Sequence, residues 1–442
     1  MAANPILITD AELQGNLKNV YADIRQQLFP ISTVLLAQIK KAGPGGLRSL
    51  KWGGKNLYFD VVTNPPVNWG ASDSGFLPNS SEQSEVQGNV GIRRFYVTRE
   101  FDNLAIMGTQ SKQAAFVSLK SKITEEIDGA MQLGMQEHVH GNGLGIRAVV
   151  SSYTAGPPTT IVATSPYGVS GAGQGGLWLY PGMYIAVRDA TGATLRGKAT
   201  ITAVANSGDN VTLTLSGTIA GTTGTDIIVA ATQSDDAYNQ YANGLINITN
   251  RGGAYNTLHG INAGTAGNER WNATRLVAGT DTDDATQPNE MDVWKLGATI
   301  GARSGKRPLS SPDEFLCITT YGLQQKFIES FLGQRRFNVT AGEELELNGG
   351  YKALKLHNMP VVADEYNPAG TFYMIHKPSL AWVDAADWSP VQYENSGAVR
   401  FIDGRDAFQT SFKVYFNLMT FQRNAHGSLT GYTDTARYSP VV

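Results

Sequence analysis

The stretch TQSKQAAFVSLKSKITEEIDGAMQLGMQEHVHGNG, Thr109–Gly143, is the one that orders the rest of the chain. No proline falls between Ser111 and Glu137, and Phe116, Leu119, Ile123, Ile127 and Met131 recur at spacings of three or four. That spacing puts one apolar stripe on a helix of period 3.6. At 1.5 Å per residue the helix would run on the order of 40 Å. Thr109 or Ser111 stands where a cap is needed, and Glu125, Glu126 and Asp128 fall on the wet side. The run His140-Gly141-Asn142-Gly143 ends it, because glycine and asparagine tolerate the positive φ of a left-handed exit.

Working outward, the 442 residues are too many for one core and suggest two to four domains. Only 17% are charged, against roughly 25% in an ordinary soluble protein, and 49 are glycine. So neutral a surface suits a protein covered by copies of itself, or a Gly/Thr/Asn-rich extracellular β protein; composition favours neither. The formal net charge of −3 argues against wholesale nucleic-acid binding by a basic surface. Cys317 is the only cysteine, lies in the apolar run Phe315–Ile318, and reads as a buried, inert thiol. No basic segment followed by an apolar one opens the chain, and no apolar run approaches 18 residues, so neither a signal peptide nor a membrane span is expected.

Residues 1–48 read as an extended start and a helix with apolar face Leu13, Leu17, Val20, Tyr21, Ile24 and Leu28, broken at Pro30 and followed by a Gly-Pro-Gly-Gly hinge at 43–46. Residues 49–102 read as a long β-hairpin: Leu57, Phe59 and Val61 on the way out, Ile92, Phe95, Val97 and Phe101 on the way back, with a Pro/Gly/Ser/Asn-rich loop at 64–89 between. A loop that long without a core is usually functional or ordered by a partner, and an isolated hairpin is marginal in water, so it is expected to lie on something else. Residues 103–150 hold the long helix. Residues 151–236 change to Thr, Val, Ala and Gly, with alternating runs at 183–188, 199–204, 211–215 and 226–230, a small all-β barrel or sandwich inserted in a larger domain. Residues 237–385 read as a mixed α/β domain, with helices at 289–302 (apolar Met291, Val293, Trp294, Leu296, Ile300) and 321–332 and a buried strand at 314–319. Residues 386–442 carry the strongest strand, 411–423, with Phe412, Val414, Phe416, Leu418 and Thr420 on one face.

No motif carries catalytic chemistry. Gly171–Gly176 matches a dinucleotide fingerprint by letter, but neither a strand before it nor a helix after it supports that, and a flexible loop is the better reading. Glu137, His138 and His140 lack a third ligand at metal spacing, and a capping or solvated role fits better. Asp281, Asp283 and Asp284 lack the glycine and terminal glutamate of a calcium loop. Neither catalytic nor cofactor nor metal residues are therefore assigned.

The order of these parts resembles the major capsid proteins of tailed bacteriophages, with the fold named after phage Hong Kong 97. The resemblance rests on the arm, the long hairpin, the helix closed by Gly141-Asn142-Gly143, the mixed domain with Tyr321–Phe331, the segment Leu356–Val362, and the final strand ending Phe421-Gln422-Arg423-Asn424, with Gly427–Thr430 after it. It implies an α+β Hong Kong 97-type capsid fold: N-terminal arm, extended β-hairpin loop, long spine helix with a long-stranded peripheral sheet, and an α/β axial domain, here with an inserted small all-β domain. It further implies a non-enzymatic virion protein that assembles in the host cytoplasm as pentamers and hexamers into an icosahedral head around double-stranded DNA. Its partners would be copies of itself, a separate scaffolding protein, a portal and a decoration protein, with no membrane and no cofactor. Intersubunit contacts are expected at Lys51, Lys55, Arg93, Arg94, Arg99, Arg335, Arg336, Glu343 and Glu344. The lysine cross-link of some members is not carried over, because no lysine lies between Asn56 and Lys112. Rival readings are an encapsulin-like compartment shell and a multi-domain binding protein that uses its β module for recognition.

Overall fold

The computed structural model describes residues 48–434 apart from 52, 55, 74, 76, 78, 80, 105–118, 157, 168–173, 233, 333–353 and 393–398. The arm helix of residues 1–47, Thr109, Ser111, Phe116 and the first half of the glycine run thus lie outside the described residues.

In chain order the strands are β1 (Arg48–Lys51), β2 (Leu57–Asn64), β3 (Ser84–Val90) and β4 (Arg93–Asp102), followed by helix α1 (Leu119–His140). Six strands come next: β5 (Ile146–Thr154), β6 (Thr159–Thr164), β7 (Tyr184–Arg188), β8 (Leu195–Ser207), β9 (Asn210–Leu215) and β10 (Ile227–Ala230). Helix α2 (Leu245–Thr249), the short pair β11 (Thr257–Leu258) and β12 (Ile261–Asn262), β13 (Thr274–Val277), helix α3 (Glu290–Ser304), β14 (Phe315–Thr319) and helix α4 (Tyr321–Leu332) lead on. The described residues close with β15 (Leu354–Leu356), β16 (Met359–Ala363), β17 (Phe372–His376), β18 (Leu380–Pro390), β19 (Val399–Phe401), β20 (Ala407–Thr420) and β21 (Gly427–Thr430).

The 22 described residues of α1 span about 33 Å. Ile123, Ile127, Met131, Met135 and Val139 repeat every four residues and are all buried, so the apolar stripe continues two turns beyond Met131, and the helix ends at His140, at the run expected to close it. The helix exits through Gly143, at φ +81°, and the Asn142 side chain accepts from the Leu144 amide at 3.0 Å. The stripe rests on a five-stranded sheet whose centre is β20, flanked by β18, β19 and β4, with β1 outside β18. Phe95, Val97, Phe412, Val414, Phe416 and Leu418 face the helix. Gly134 makes the contact possible: a Cβ there would lie 2.1 Å from Phe95 Cζ.

One reading needs correction. The hairpin's return strand is β3, not 92–101: β2 pairs β3 antiparallel from Leu57↔Val90 to Asn64↔Ser84. β4 runs on past the base and pairs β20 antiparallel, from Phe416↔Arg93 to Ala407↔Asp102. Alternation marks 93–102 as a strand but cannot name its partner. Nor does the hairpin lie wholly on something else. Its inner face, Phe59, Val61 and Val86, covers Ile261, Ala263 and Trp271 of the same chain, and Asn64 donates to the Gly267 carbonyl at 3.1 Å. Its outer face and its tip are bare, with Tyr58, Val62, Val67, Trp69 and Leu77 all more than half exposed.

The second sheet has six strands in the order β13-β21-β17-β14-β16-β15, so the last described strand returns into the mixed domain. Val293, Leu296 and Ile300 of α3 and Leu323 and Phe327 of α4 pack with Phe315, Cys317, Phe372, Met374 and Leu429. Asn289 and Asp292 form a reciprocal capping box at the start of α3, and Gly305 ends it at φ +73°. Met291 and Trp294, expected on its apolar face, are exposed instead. Cys317 is buried, which pushes its thiol pKa up.

Strands β5–β10 close into a barrel, in the order β10-β5-β6-β9-β8-β7. Closure removes every edge, and Val150, Ile161, Ile185, Val187, Ile201, Val211 and Leu213 fill the interior. The sequence pattern missed β5 and β6, where serine and threonine dilute the alternation. Gln174–Gly176 form a buried turn under the barrel rather than a flexible loop, since a Cβ on Gly175 would sit 2.1 Å from the Ala163 carbonyl oxygen.

Candidate functional site

Polar groups that sequence reading treated as candidates prove to hold elements together. His138 is buried, stacks on Tyr241 with ring centroids 3.9 Å apart, and its Nδ1 accepts from the Ala242 amide at 3.0 Å. Burial first, then the nearby Arg147 and Arg93 charges, pull its pKa down to about 3. His140 Nε2 lies 3.4 Å from Asp364 Oδ1, and Gln136 donates to Asp364 Oδ2 at 2.7 Å. Burial pushes the Asp364 carboxyl up, but His140, the Tyr366 amide and Gln136 outweigh it and hold it below its usual range. The expected solvated or capping roles for both histidines are therefore wrong: segments distant in sequence, at 241–242 and 364, cover the helix end. Among the described residues no group of three or more His, Cys, Asp or Glu is placed to hold a metal.

Beside them, Arg147 of β5 donates twice to Glu137 of α1, at 2.7 and 2.9 Å, and once to the Tyr241 hydroxyl at 3.2 Å. Trp178 stacks on Tyr366 at 4.7 Å and Gln174 Oε1 accepts from the Ala369 amide at 3.2 Å. These contacts fix the barrel to the end of the long helix and to the 364–371 loop. Asp281, Asp283 and Asp284 are exposed; Asp284 accepts from the Thr286 amide at 2.6 Å and Lys295 reaches Asp283 at 3.3 Å, the solvated-loop role expected of them.

What remains chemically distinctive is surface. Of the expected contact residues, Lys55, Arg335, Arg336, Glu343 and Glu344 lie outside the described residues. Lys51 pairs with Asp384 of β18, and Arg99 reaches Glu126 of α1 at 3.0 Å, both within the chain. Arg93 points to the helix side of the sheet, opposite Phe416, where burial lowers its pKa. Arg94 faces away from the helix. There it joins three residues the sequence did not single out: Tyr96 beside it on β4, and Lys413 and Tyr415 across the β4–β20 pairing. The Tyr96 and Tyr415 hydroxyls are 2.9 Å apart, and Arg94 Cζ and Lys413 Nζ lie 5.9 and 5.4 Å from the Tyr415 ring centroid. Only the register Lys413↔Tyr96 and Tyr415↔Arg94 assembles this cluster, and the sequence carries no signal of it.

A cleft of 710 Å³ separates the hairpin from the body, lined by Asp60, Arg270 and Arg303 among others. Arg303 is tied to the Ala273 and Asn272 carbonyls at 3.3 and 3.2 Å. Ser379 also lines the cleft, with its hydroxyl 2.6 Å from His376 Nδ1, and His376 Nε2 lies 3.2 Å from Glu314; both Ser379 and His376 are buried. Among the described residues no helix is long and apolar enough to cross a membrane.

No family model matches the sequence, and no curated protein does either. Solved structures do match, over nearly the whole chain. The cyanophage A-1(L) capsid subunit superposes with a TM-score of 0.55 at 12% identity, covering 97% of this chain and 100% of that one. The chain has the phage major capsid protein fold. The capsid subunit of a native GTA particle shares it, with a TM-score of 0.50, 9% identity, and coverage of 98% and 100%. An encapsulin from Synechococcus elongatus PCC 7942, the holo-SrpI complex, aligns at TM-score 0.45 and 6% identity over 97% of each chain. Within this capsid fold the strand-rich α+β architecture, with four described helices, places a hairpin and a long-stranded sheet at the molecular surface.

Proposed function

We propose that this chain is the major capsid protein of a tailed double-stranded DNA phage, assembling as pentamers and hexamers into the icosahedral shell of the head. The observation that carries the reading is the end-to-end likeness to a phage capsid subunit, with 97% of this chain and all of the other included. Physical features support it. Charge is sparse at 17%, and a hairpin leaves Val67, Trp69 and Leu77 between two-thirds and nine-tenths exposed, apolar surface that a solitary soluble protein rarely keeps. In this reading β2–β3 is the extended loop, α1 and the β20 sheet the peripheral domain, and the β13–β21 sheet the axial domain. The barrel is an insertion, and residues 1–48 are the arm. Heterologous contacts between copies close into rings, and many weak contacts acting together stabilise the shell. This reading assigns subunit contacts to Arg335, Arg336, Glu343 and Glu344, and a scaffold, a portal and a decoration protein as further partners of the particle.

Electron microscopy and light scattering of the purified protein test this. The expected result is megadalton particles built from 47.5 kDa subunits. A chain that elutes as a monomer at every concentration would refute it, and particles filled with a protein cargo instead of DNA would favour a compartment shell.

A further inference from the structure

His259 sits where the hairpin meets the body, in a backbone conformation that disfavours its own side chain. It opens the two-residue turn between β11 and β12 at φ +55°, and Gly260 follows at +79°. A turn with both central residues in the left-handed region is the ordinary place for asparagine or glycine. A histidine held there directs attention to what its ring does.

The contacts answer that. The His259 carbonyl accepts from the Asn89 amide of β3 at 2.8 Å, and the ring meets Phe59 of β2 edge-on at 5.8 Å. On its other side Nε2 accepts from the Thr420 amide, at the end of β20, at 3.1 Å. One residue thus ties both hairpin strands to the long-stranded sheet. Because Nε2 accepts, the proton of the neutral ring sits on Nδ1, which is buried and has no hydrogen-bond partner among the described residues. A second proton, on Nε2, would point at the Thr420 N–H and break the tie.

The surroundings offer that second proton no compensation. The Thr420 hydroxyl lies 2.8 Å from His426 Nε2, and His426 Nδ1 accepts from the His376 amide at 3.3 Å. Arg423, itself cationic, is the charge that acts on both His259 and His426. Glu314 is engaged by His376 at 3.2 Å, with the Lys306 charge nearby. From the hairpin, Phe59 and Asn89 bring no charge, and Asp60, Glu82 and Glu85 are exposed. Burial first, then Arg423, draws the His259 pKa down to about 3.

We propose that His259 is a proton-operated latch: acidification frees the hairpin, β2 and β3, from the body while the long helix and the barrel stay folded. Once released, the ring reaches water and regains the proton affinity of an ordinary histidine. Each pH unit below about 6.5 then favours the released state about tenfold, one proton being taken up per release. His426 contacts Thr420 and His376 and not the hairpin, so it adds nothing to that slope. The latch belongs to the single chain and stands apart from the shell reading.

Amide hydrogen exchange of the full chain between pH 6 and 4, corrected for the intrinsic pH dependence of exchange, tests it. Protection of Leu57–Asn64 and Ser84–Val90 is expected to fall about tenfold per pH unit, while the barrel strands keep theirs. His259→Gln leaves an acceptor near the place of Nε2 but takes up no proton, and His259→Asn suits the left-handed turn. In both, hairpin protection is expected to stay level across the same range. Hairpin and barrel losing protection together in the wild type would overturn the proposal, since that is loss of the whole fold. Wild-type hairpin protection that ignores pH would overturn it too, as would a variant hairpin that still falls tenfold per unit. If either variant has lost the hairpin already at pH 7, the wild-type slope alone decides.

Discussion

Gly88 and Phe59 face each other across the hairpin, and the phenylalanine ring occupies the space a side chain at 88 would need: a Cβ built there lies 2.5 Å from Phe59 Cζ. The ring has nowhere to go. Phe421 and His259 meet it edge-on at 5.9 and 5.8 Å, and Trp271 lies 6.3 Å away. Gly88→Ala should therefore destabilise the hairpin by about 1–3 kcal/mol, the usual range for overpacking. Amide hydrogen exchange reads it directly: Leu57–Asn64 and Ser84–Val90 should lose protection while the barrel strands do not. Wild-type protection in the hairpin would show that the ring yields.

Arg423 is the largest charged side chain taken fully out of water, and it is satisfied by backbone. Its guanidinium donates to the carbonyls of Asn247, Ile248, Asn250, Tyr255 and Asn256, at 2.6 to 3.4 Å. Burial lowers its pKa to about 10, which still leaves it charged at neutral pH. Lysine offers a point charge in place of a planar fork and cannot reach five separate oxygens. Arg423→Lys should cost on the order of 2 kcal/mol and Arg423→Met more, since buried carbonyls lose their partners. Thermal melting checks the ranking, and a lysine variant as stable as wild type would sink it.

The contrast between these two sites marks what a sequence can carry. Periodicity found α1, because Ile123, Ile127 and Met131 all face one side. It found β20, because Val414, Phe416 and Leu418 alternate into the core. It placed the four barrel runs from Met183 onward within a few residues, apart from the longer span of β8. Local pattern failed wherever a distant segment supplies the other half. β3 reads as a loop because Gly88 has its apolar partner, Phe59, on the opposite strand. His138 and His140 read as a wet helix end because Ala242 and Asp364 come from elsewhere in the chain. The same holds for the candidate surface: Arg94 was noticed as a basic residue, but its pairing with Tyr415 exists only in the register.

Three buried histidines make the fold acid-sensitive. His138, His259 and His426 each have a pKa drawn down to about 3, chiefly by burial, from an ordinary 6.5. In the unfolded chain they bind protons from pH 6.5 downward, whereas in the fold they stay neutral until about pH 3. Below 6.5 the unfolded state thus binds more protons, and stability falls with falling pH. Asp364, whose carboxyl is held low, adds to the same loss below its ordinary 3.8. The melting temperature should be flat above pH 7 and drop steadily from pH 6 to 4. A profile unchanged between pH 7 and 5 would contradict the assignment.

The pair formed by Glu137 and Arg147 joins the last turn of α1 to the first strand of the barrel, with side chains only 8% and 11% exposed. Burial disfavours the guanidinium charge, but Glu137 beside it outweighs that and holds the Arg147 pKa above its ordinary value. Breaking one side leaves the other charge uncompensated in a dry site. Glu137→Gln should then cost about 3–5 kcal/mol, far more than an exposed ion pair would. Replacing both, as Glu137→Leu with Arg147→Met, removes the two desolvation penalties together and should recover most of that loss. A double-mutant cycle separates the terms. Limited proteolysis between residues 141 and 146 reports whether the barrel has come loose from the helix, because that segment is the joint the pair spans. Equal cleavage of Glu137→Gln and wild type would mean that the Trp178–Tyr366 stack and the Gln174–Ala369 hydrogen bond hold the barrel in place without the ion pair.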